Sequence, residues 1–589
     1  MIGKTISHYK IIEKLGECTF KGKLEMNRIL ICFFIALSLL MTGCSGNSPV
    51  KADLILTNGK IWTVDQTRPR AQAIAIWQGK ILAVGTTAGI RSLIGSETEV
   101  LDLDGKLVLP GFHDNHTHFV QGGFWLTGVK LKDSENEEEF GRRLAAKSKE
   151  LPPGAWITGG TWDHDNWPGG NLPTAELIDR FVPNRPVFVS RYDGHMSVAN
   201  SLAMRMAGVS ATIPDPPGGV IVRKSRSRVP AGVLKDTAQE MVYRVIPERS
   251  VAEVRQAIGA ALAEARRVGV TSLEDMNLNP RTLRIYQDLL REGKLTARIN
   301  GRWAMSRWRE LADMGITRNF TNNDWIKIGG LKEYVDGSLG SSTALFFEPY
   351  IQDPSTSGVY TTPPAVLKRN ILEADRAGLH LAIHAIGDRA NSELLDIFEE
   401  AINTNGRRDR RFRIEHAQHI DPKDFERFAE LGVIACVQPY HAIDDGRWAE
   451  KRIGHERGKT TYPFRTFLDS GVKLSFGSDW TVAPLNPILG IDAAVTRRTT
   501  DGANPEGWFP EQKITVEEAI EAYTLTSAYA SFEDHIKGSI APGKLADMVV
   551  LAEDILTIPV NAIPKVEVLY TIVGGRVVYT KEGLLQHIK

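Results

Sequence analysis

The chain is poor in cysteine: of its four, Cys18, Cys32 and Cys44 stand near the N-terminus and only Cys436 lies in the body. That excludes a disulfide framework. It also lacks an excess of either charge, with 71 Lys plus Arg against 71 Asp plus Glu, so nothing calls for nucleic acid or another polyanion as partner. No internal repeat or low-complexity segment is present, and no H-R-D or D-F-G occurs. The kinase-like start HYKIIEKLGE, His8 to Glu17, therefore has no phosphate site to serve. What remains is ordinary globular composition, 42% apolar and 24% charged, in a 589-residue chain long enough for a large core.

One apolar run needs separate treatment. Met26-Asn27-Arg28 gives a charged start, residues 29–41 (ILICFFIALSLLM) are almost wholly apolar, and Thr42-Gly43-Cys44 follows. The run is short for a bilayer span and fits the apolar part of an export signal. Small residues before a cysteine resemble a bacterial lipoprotein signal, with Met41 where leucine is usual and Cys44 as the lipidation site. The expectation is a signal at 26–43, a Ser/Gly/Asn/Pro tether at 44–51 and a cell-envelope lipoprotein anchored to a membrane. Residues 1–25 would then precede the true start at Met26.

The body has three textures. Residues 52–105 hold short alternating runs broken by Gly-Lys turns, and similar runs return at 541–589. Neither end has strands enough for a stable sheet alone, which predicts one composite β-sandwich built from both. Between them, at 106–540, apolar strand candidates alternate with helical stretches, the pattern of a parallel sheet wrapped by helices. Eight such strands are expected, at 106–116, 269–276, 297–305, 326–335, 379–387, 411–418, 432–440 and 472–480. Eight is the number of the (β/α)8 TIM-type barrel. The stretch at about 119–250 is too long for one crossover and predicts an insertion over the barrel mouth.

Metal-ligand residue types recur at the ends of these strands: His116 and His118 in PGFHDNHTH, Lys332 in GGLKEYV, His384 in LAIHAIG, His416 in RIEHAQ and Asp479 in FGSDW. Parallel barrel strands point their C-terminal ends at one face, so such residues meet in one site. The period-two alternation of a strand puts His116 and His118 on the same side. Imidazoles and a carboxylate suit a borderline metal such as zinc, which points to a metal-dependent hydrolase. Asp479 could instead cap a following helix. Lys332, buried in a strand, would be costly unless paired or neutral. It reads either as a carbamate bridging two ions or as the partner of Glu333, Asp336 or Asp479 beside a single ion.

These segments, in order with GGTWDHDNWPGGNLPT, SRYDGHMSVANS, YVDGSLGSSTA, VQPYHAIDD and KGSIAPGKLADMVVL, resemble the amidohydrolase superfamily. Within it the match is to amidohydrolase family 3, which includes N-substituted formamide deformylases, over about residues 52–580. The resemblance implies one or two zinc ions, His116 and His118 on one, His384 and His416 on the other, Lys332 between them and Asp479 as the proton-transfer group. It further implies hydrolysis of a non-peptide carbon–nitrogen bond, of amide, N-formyl or N-acyl type, in a small molecule. The alternatives are a deaminase or an ester or lactone hydrolase on the same scaffold, or a non-catalytic lipid-anchored binding protein. His195 and His441 fall where the family has mouth-facing residues, with a structural histidine as the equal alternative for each, and Trp162, with Trp156 and Trp167, either packs the insertion, the favoured reading, or forms an aromatic lid over the substrate. A homodimer is compatible with this reading.

Overall fold

The computed structural model of the chain describes residues 50–317 and 323–584. Residues 1–25, the export segment and Cys44 lie outside the described residues. The chain divides into Met1–Lys51 and Ala52–Lys589, and the second unit is described here. Among the described residues no helix is long and apolar enough to cross a membrane.

Eight parallel strands form one sheet in chain order: Phe112–Thr117, Val270–Asp275, Arg298–Ala304, Ile326–Tyr334, Leu381–Ala385, Arg413–His416, Ile434–Val437 and Leu474–Phe476. They are called barrel strands one to eight below. Strand eight returns to strand one: Asp479 N–H donates to His116 O at 2.7 Å and His118 N–H to Trp480 O at 2.9 Å. All eight expected strands are present. The first is shorter than expected, because the run from Lys106 to His116 is two strands in two sheets. Leu107–Pro110 pairs with Met548–Leu551, and only after Gly111 does the chain enter the barrel. A Cβ at Gly111 would lie 2.2 Å from Thr271 Oγ1, so the passage between sheets requires glycine.

The two chain ends do meet in one sheet. Its six strands mix Lys60–Trp62, Arg70–Ala71 and Leu107–Pro110 with Met548–Leu551, Val568–Val573 and Arg576–Thr580. A four-stranded sheet from residues 54–102 packs on it, Leu54, Leu56, Ile74 and Ile76 sharing one core with Val108, Met548, Val550 and Ile572. Tight turns set these hairpins. Gln78-Gly79 and Gly574-Gly575 both take left-handed φ values, 49° and 74°, then 56° and 72°, the geometry that matches strand twist in two-residue loops.

The helix Val251–Arg267 starts with a reciprocal cap between Ser250 and Glu253 and buries Val254, Ile258 and Leu262 at helical spacing. Each such side chain contributes about 2 kcal/mol of burial at most. The insertion is a small α/β layer with its own five-stranded sheet spanning residues 157–236. Trp162 and Trp167 sit in one of its cores and Trp156 in another.

Candidate metal centre

Five of the six expected ligand side chains are drawn together at the C-terminal ends of strands one, five, six and eight. His116 and His118 have ring centres 5.7 Å apart, His116 and His416 4.9 Å, and His416 and His384 4.4 Å. Asp479 Oδ1 lies 3.1 Å from His118 Nε2 and 3.6 Å from His116 Nε2, and Oδ2 is 4.0 Å from His416 Nδ1. His116, His416 and Asp479 place one donor atom each within 4.8 Å of one another. His118 is not in the strand as the alternation argument assumed; it stands at the entry to the helix Phe119–Thr127.

The partners of the imidazoles decide what each ring can bind. His116 Nδ1 donates to Glu415 Oε2 at 2.6 Å, His416 Nδ1 to Gln438 Oε1 at 2.8 Å, His384 Nε2 to Gly337 O at 3.0 Å, and His118 Nδ1 to Asn277 Oδ1. In His116, His384 and His416 that contact takes the single N–H of a neutral ring and leaves the other nitrogen as a lone pair. His116 Nε2 and His384 Nδ1 are buried and have no hydrogen-bond partner. Burial holds His116 below, and His384 and His416 well below, the usual imidazole range, so they are neutral. Neutral imidazoles with orphaned lone pairs, around a carboxylate, are a donor set that suits a divalent metal.

Strained backbone aims two of the ligands. His416 has φ 75° and Asp479 φ 53°, left-handed values that cost about 1–3 kcal/mol each in residues other than glycine. Burial opposes ionisation of Asp479, but its contact with His118 favours the carboxylate, and its carboxyl lies well below the usual range. It caps no helix; the next one starts at Pro487 with Asn486 as its cap.

Lys332 sits near the end of strand four, buried, with its Nζ 4.3 Å from the ring centre of Tyr334. Among the described residues it forms no ion pair, so the expected partnership with Glu333, Asp336 or Asp479 is not made directly. Burial lowers its amine to about 8, against the opposing pull of Glu415 and Asp479.

A cavity opens on this centre, its wall including His416, Asp479, His195, His441, Asp445 and Trp448. His195 comes from the insertion, its Nδ1 bonded to Asp236 Oδ1 at 2.7 Å and its ring 5.1 Å from that of His384. Burial pulls His441 down to about 4. Trp162 is not part of the wall. It is fully buried in the insertion and donates its indole N–H to Val189 O at 2.8 Å, so its candidate contact with substrate is replaced by core packing.

Glu415, Asn277, Gln438 and Asp236 were not legible as site residues. Glu415 has the clearest signal, since Arg413 and Glu415 are two apart on one strand and so share a face. In the barrel they form a buried chain, Glu415 to Arg413 at 2.8 Å, Arg413 to Glu274 at 2.5 Å and Glu274 to Arg302 at 2.7 Å. Burial would raise Glu415, but Arg413 and His116 hold it far below the usual carboxylate range. A second cluster of close donor atoms, Asp163, His164 and Asp165, is occupied by Arg191, Arg447 and Arg452 and reads as an ion-pair network.

Comparison with known proteins agrees with this geometry. The amidohydrolase family model matches residues 99–579. Protein LONG AFTER FAR-RED 3 of Arabidopsis thaliana is 39% identical over 544 residues, covering 90% of this chain and 92% of that protein. N-substituted formamide deformylase of Arthrobacter pascens is 27% identical over 546 residues, with 90% and 99% covered. The crystal structure of an uncharacterized metal-dependent hydrolase from Pyrococcus horikoshii is 30% identical with a TM-score of 0.70, covering 86% of this chain and 99% of that one. A barrel with converging histidines at its mouth, matched over most of its length, makes this chain an enzyme of the amidohydrolase family.

Proposed function

We propose that the protein hydrolyses a non-peptide carbon–nitrogen bond, of N-formyl or N-acyl type, in a small molecule. The observation that carries this reading is that each of the four imidazoles has one ring nitrogen on an oxygen acceptor, while His116 Nε2 and His118 Nε2 lie 3.6 and 3.1 Å from Asp479 Oδ1 and the buried His384 Nδ1 has no hydrogen-bond partner. His116, His118 and Asp479 would hold one divalent ion, zinc in our reading, and His384 and His416 a second, with Lys332 as a carbamate between them. Bound there, the metal supplies an activated hydroxide and polarises the scissile carbonyl. Asp479 takes the proton of the attacking water on its carboxylate and returns it to the leaving amine. Glu415 and Gln438 keep the His116 and His416 rings from turning. His195, from the insertion, lines the cavity beside the centre and is held by Asp236.

The test is a screen of zinc-loaded protein against N-formyl, N-acyl, amidine and lactone compounds, following amine, ammonia and alcohol release. Amine release supports the reading; ammonia or alcohol alone replaces it with deamination or ester hydrolysis, and no turnover with any metal leaves a binding protein. Asp479→Asn is expected to lower kcat by about 10²–10⁴-fold. For Lys332→Ala the expected change is from two bound ions to one, read by elemental analysis. Full metal content would remove Lys332 from the centre. The Cys44 anchor is likewise our proposal, tested by mass spectrometry of the native protein for a lipidated N-terminal cysteine.

A further inference from the structure

The wall of the cavity carries polar groups that the hydrolytic machinery does not use. Asp445 stands at the C-terminal end of the helix Pro439–Asp445, and its Oδ2 accepts from Tyr462 O–H at 2.6 Å and from Gln418 Nε2 at 3.1 Å. Among the described residues its Oδ1 accepts no hydrogen bond. Trp448, three residues on, is 5% exposed, and its buried indole N–H has no acceptor. An orphaned donor of this kind costs about 1–3 kcal/mol unless a ligand satisfies it.

The guanidinium that lines this cavity is already committed. Arg191 lines the same cavity, yet it bonds Asp165 and Asp193 at 2.7 Å each and lies 3.4 Å from Asp163. Asp193 in turn accepts from Ser338 Oγ at 2.6 Å, so neither partner is free to turn to a ligand. The cavity wall therefore carries an acceptor on Asp445 and an indole N–H on Trp448 that has no partner, while the guanidinium of Arg191 is spent on carboxylates. Burial already pushes the Asp445 carboxyl up to about 7, and a second carboxylate beside it would be repelled or would force a proton onto the pair.

Resting on the hydrolase reading above, we infer that the non-reacting end of the substrate is an uncharged group with both a donor and an acceptor, such as a primary carboxamide, held by Asp445 and Trp448. Substrates ending in a carboxylate, N-acyl amino acids among them, bind more weakly, because that group would sit beside the Asp445 carboxyl. Asp445 is the specificity-determining residue: it accepts the N–H of the end group while the Trp448 indole donates to its oxygen.

The test uses a matched pair that differs only at that end. N-methanesulfonyl-β-alaninamide and N-methanesulfonyl-β-alanine resist hydrolysis, so calorimetric binding to the zinc-loaded protein at neutral pH does not depend on turnover. The amide is expected to bind at least tenfold more tightly than the acid. Asp445→Asn is expected to reduce that ratio to threefold or less, and Trp448→Phe to weaken the amide by fivefold or more. Equal affinities, tighter binding of the acid, or no binding of either overturns the proposal. Turnover of N-formyl-β-alaninamide and N-formyl-β-alanine is measured separately. Hydrolysis of both with equal kcat/KM leaves the hydrolase reading standing and removes the subsite, whereas selective binding without hydrolysis does the reverse.

Discussion

At the scale of single residues, the centre depends on groups that never touch a substrate. Glu415 is fully buried, yet it fixes the tautomer of His116 by accepting its Nδ1–H, and Arg413 makes that possible by compensating its charge. Replacing such an outer carboxylate typically costs 10–100-fold in metal affinity. Glu415→Gln is thus expected to weaken zinc binding by about that factor, measured by competition with a chromophoric chelator. Unchanged affinity would mean that ring orientation is set by packing alone. The sequence showed the histidines because a His at a strand end stands out. It did not show which nitrogen is free, since Glu415 lies 299 positions from His116 and Asn277 lies 159 positions from His118.

At the scale of elements, strand four shows how one irregularity places a ligand. Lys327 and Lys332 are an odd number of residues apart, so strict alternation would send them to opposite faces. Lys327 nevertheless pairs with Glu533, while Lys332 lies within the electrostatic reach of Glu415 and Asp479. Pairing of strand three with strand four slips between Gly301 and Arg302, opposite Ile328 and Gly330, leaving Gly329 as the extra residue of a bulge. Gly330 has φ 131°, and a Cβ there would lie 2.2 Å from His380 O. Gly330→Ala is expected to cost about 3 kcal/mol or more, read as a lower denaturant midpoint, and to lower metal content along with it. Loss of stability with full metal content would show that Lys332 does not depend on the bulge. From the sequence, Gly329-Gly330 reads as part of an apolar strand; only pairing with both neighbours reveals the slip.

At the scale of the whole molecule, residues near the C-terminus lock the barrel from within. Glu533 pairs with Lys327 at 2.6 Å and with Lys537 at 2.8 Å, and Lys537 reaches Ser272 Oγ at 3.1 Å. Burial opposes the charge on Glu533, but Lys537 and Lys327 draw its carboxyl from 4.5 down to about 2. A depressed carboxylate contributes stability that is full above its unfolded value and is lost as pH falls through the folded one. The apparent Tm is therefore expected to fall as pH drops from 4.5 toward 2, and Glu533→Gln to flatten that limb while lowering Tm at neutral pH. A parallel acid limb in the variant would assign it to other carboxylates. Removal of metal acts on the same global equilibrium: zinc at 100 times its Kd adds about 2.7 kcal/mol. Chelation should lower Tm, and added zinc should restore it. By itself the sequence determined the eight strands, the return of both chain ends to a common β layer and the residue types at the strand mouths, because these follow from local alternation, turn chemistry and order along the chain. The tertiary structure decided which ring nitrogens face the centre, which buried charges compensate one another, that Trp162 packs a core rather than a substrate, and that Asp445 and Trp448 share the cavity wall. Those outcomes rest on contacts between segments far apart in sequence, and their geometry exists only once the barrel closes.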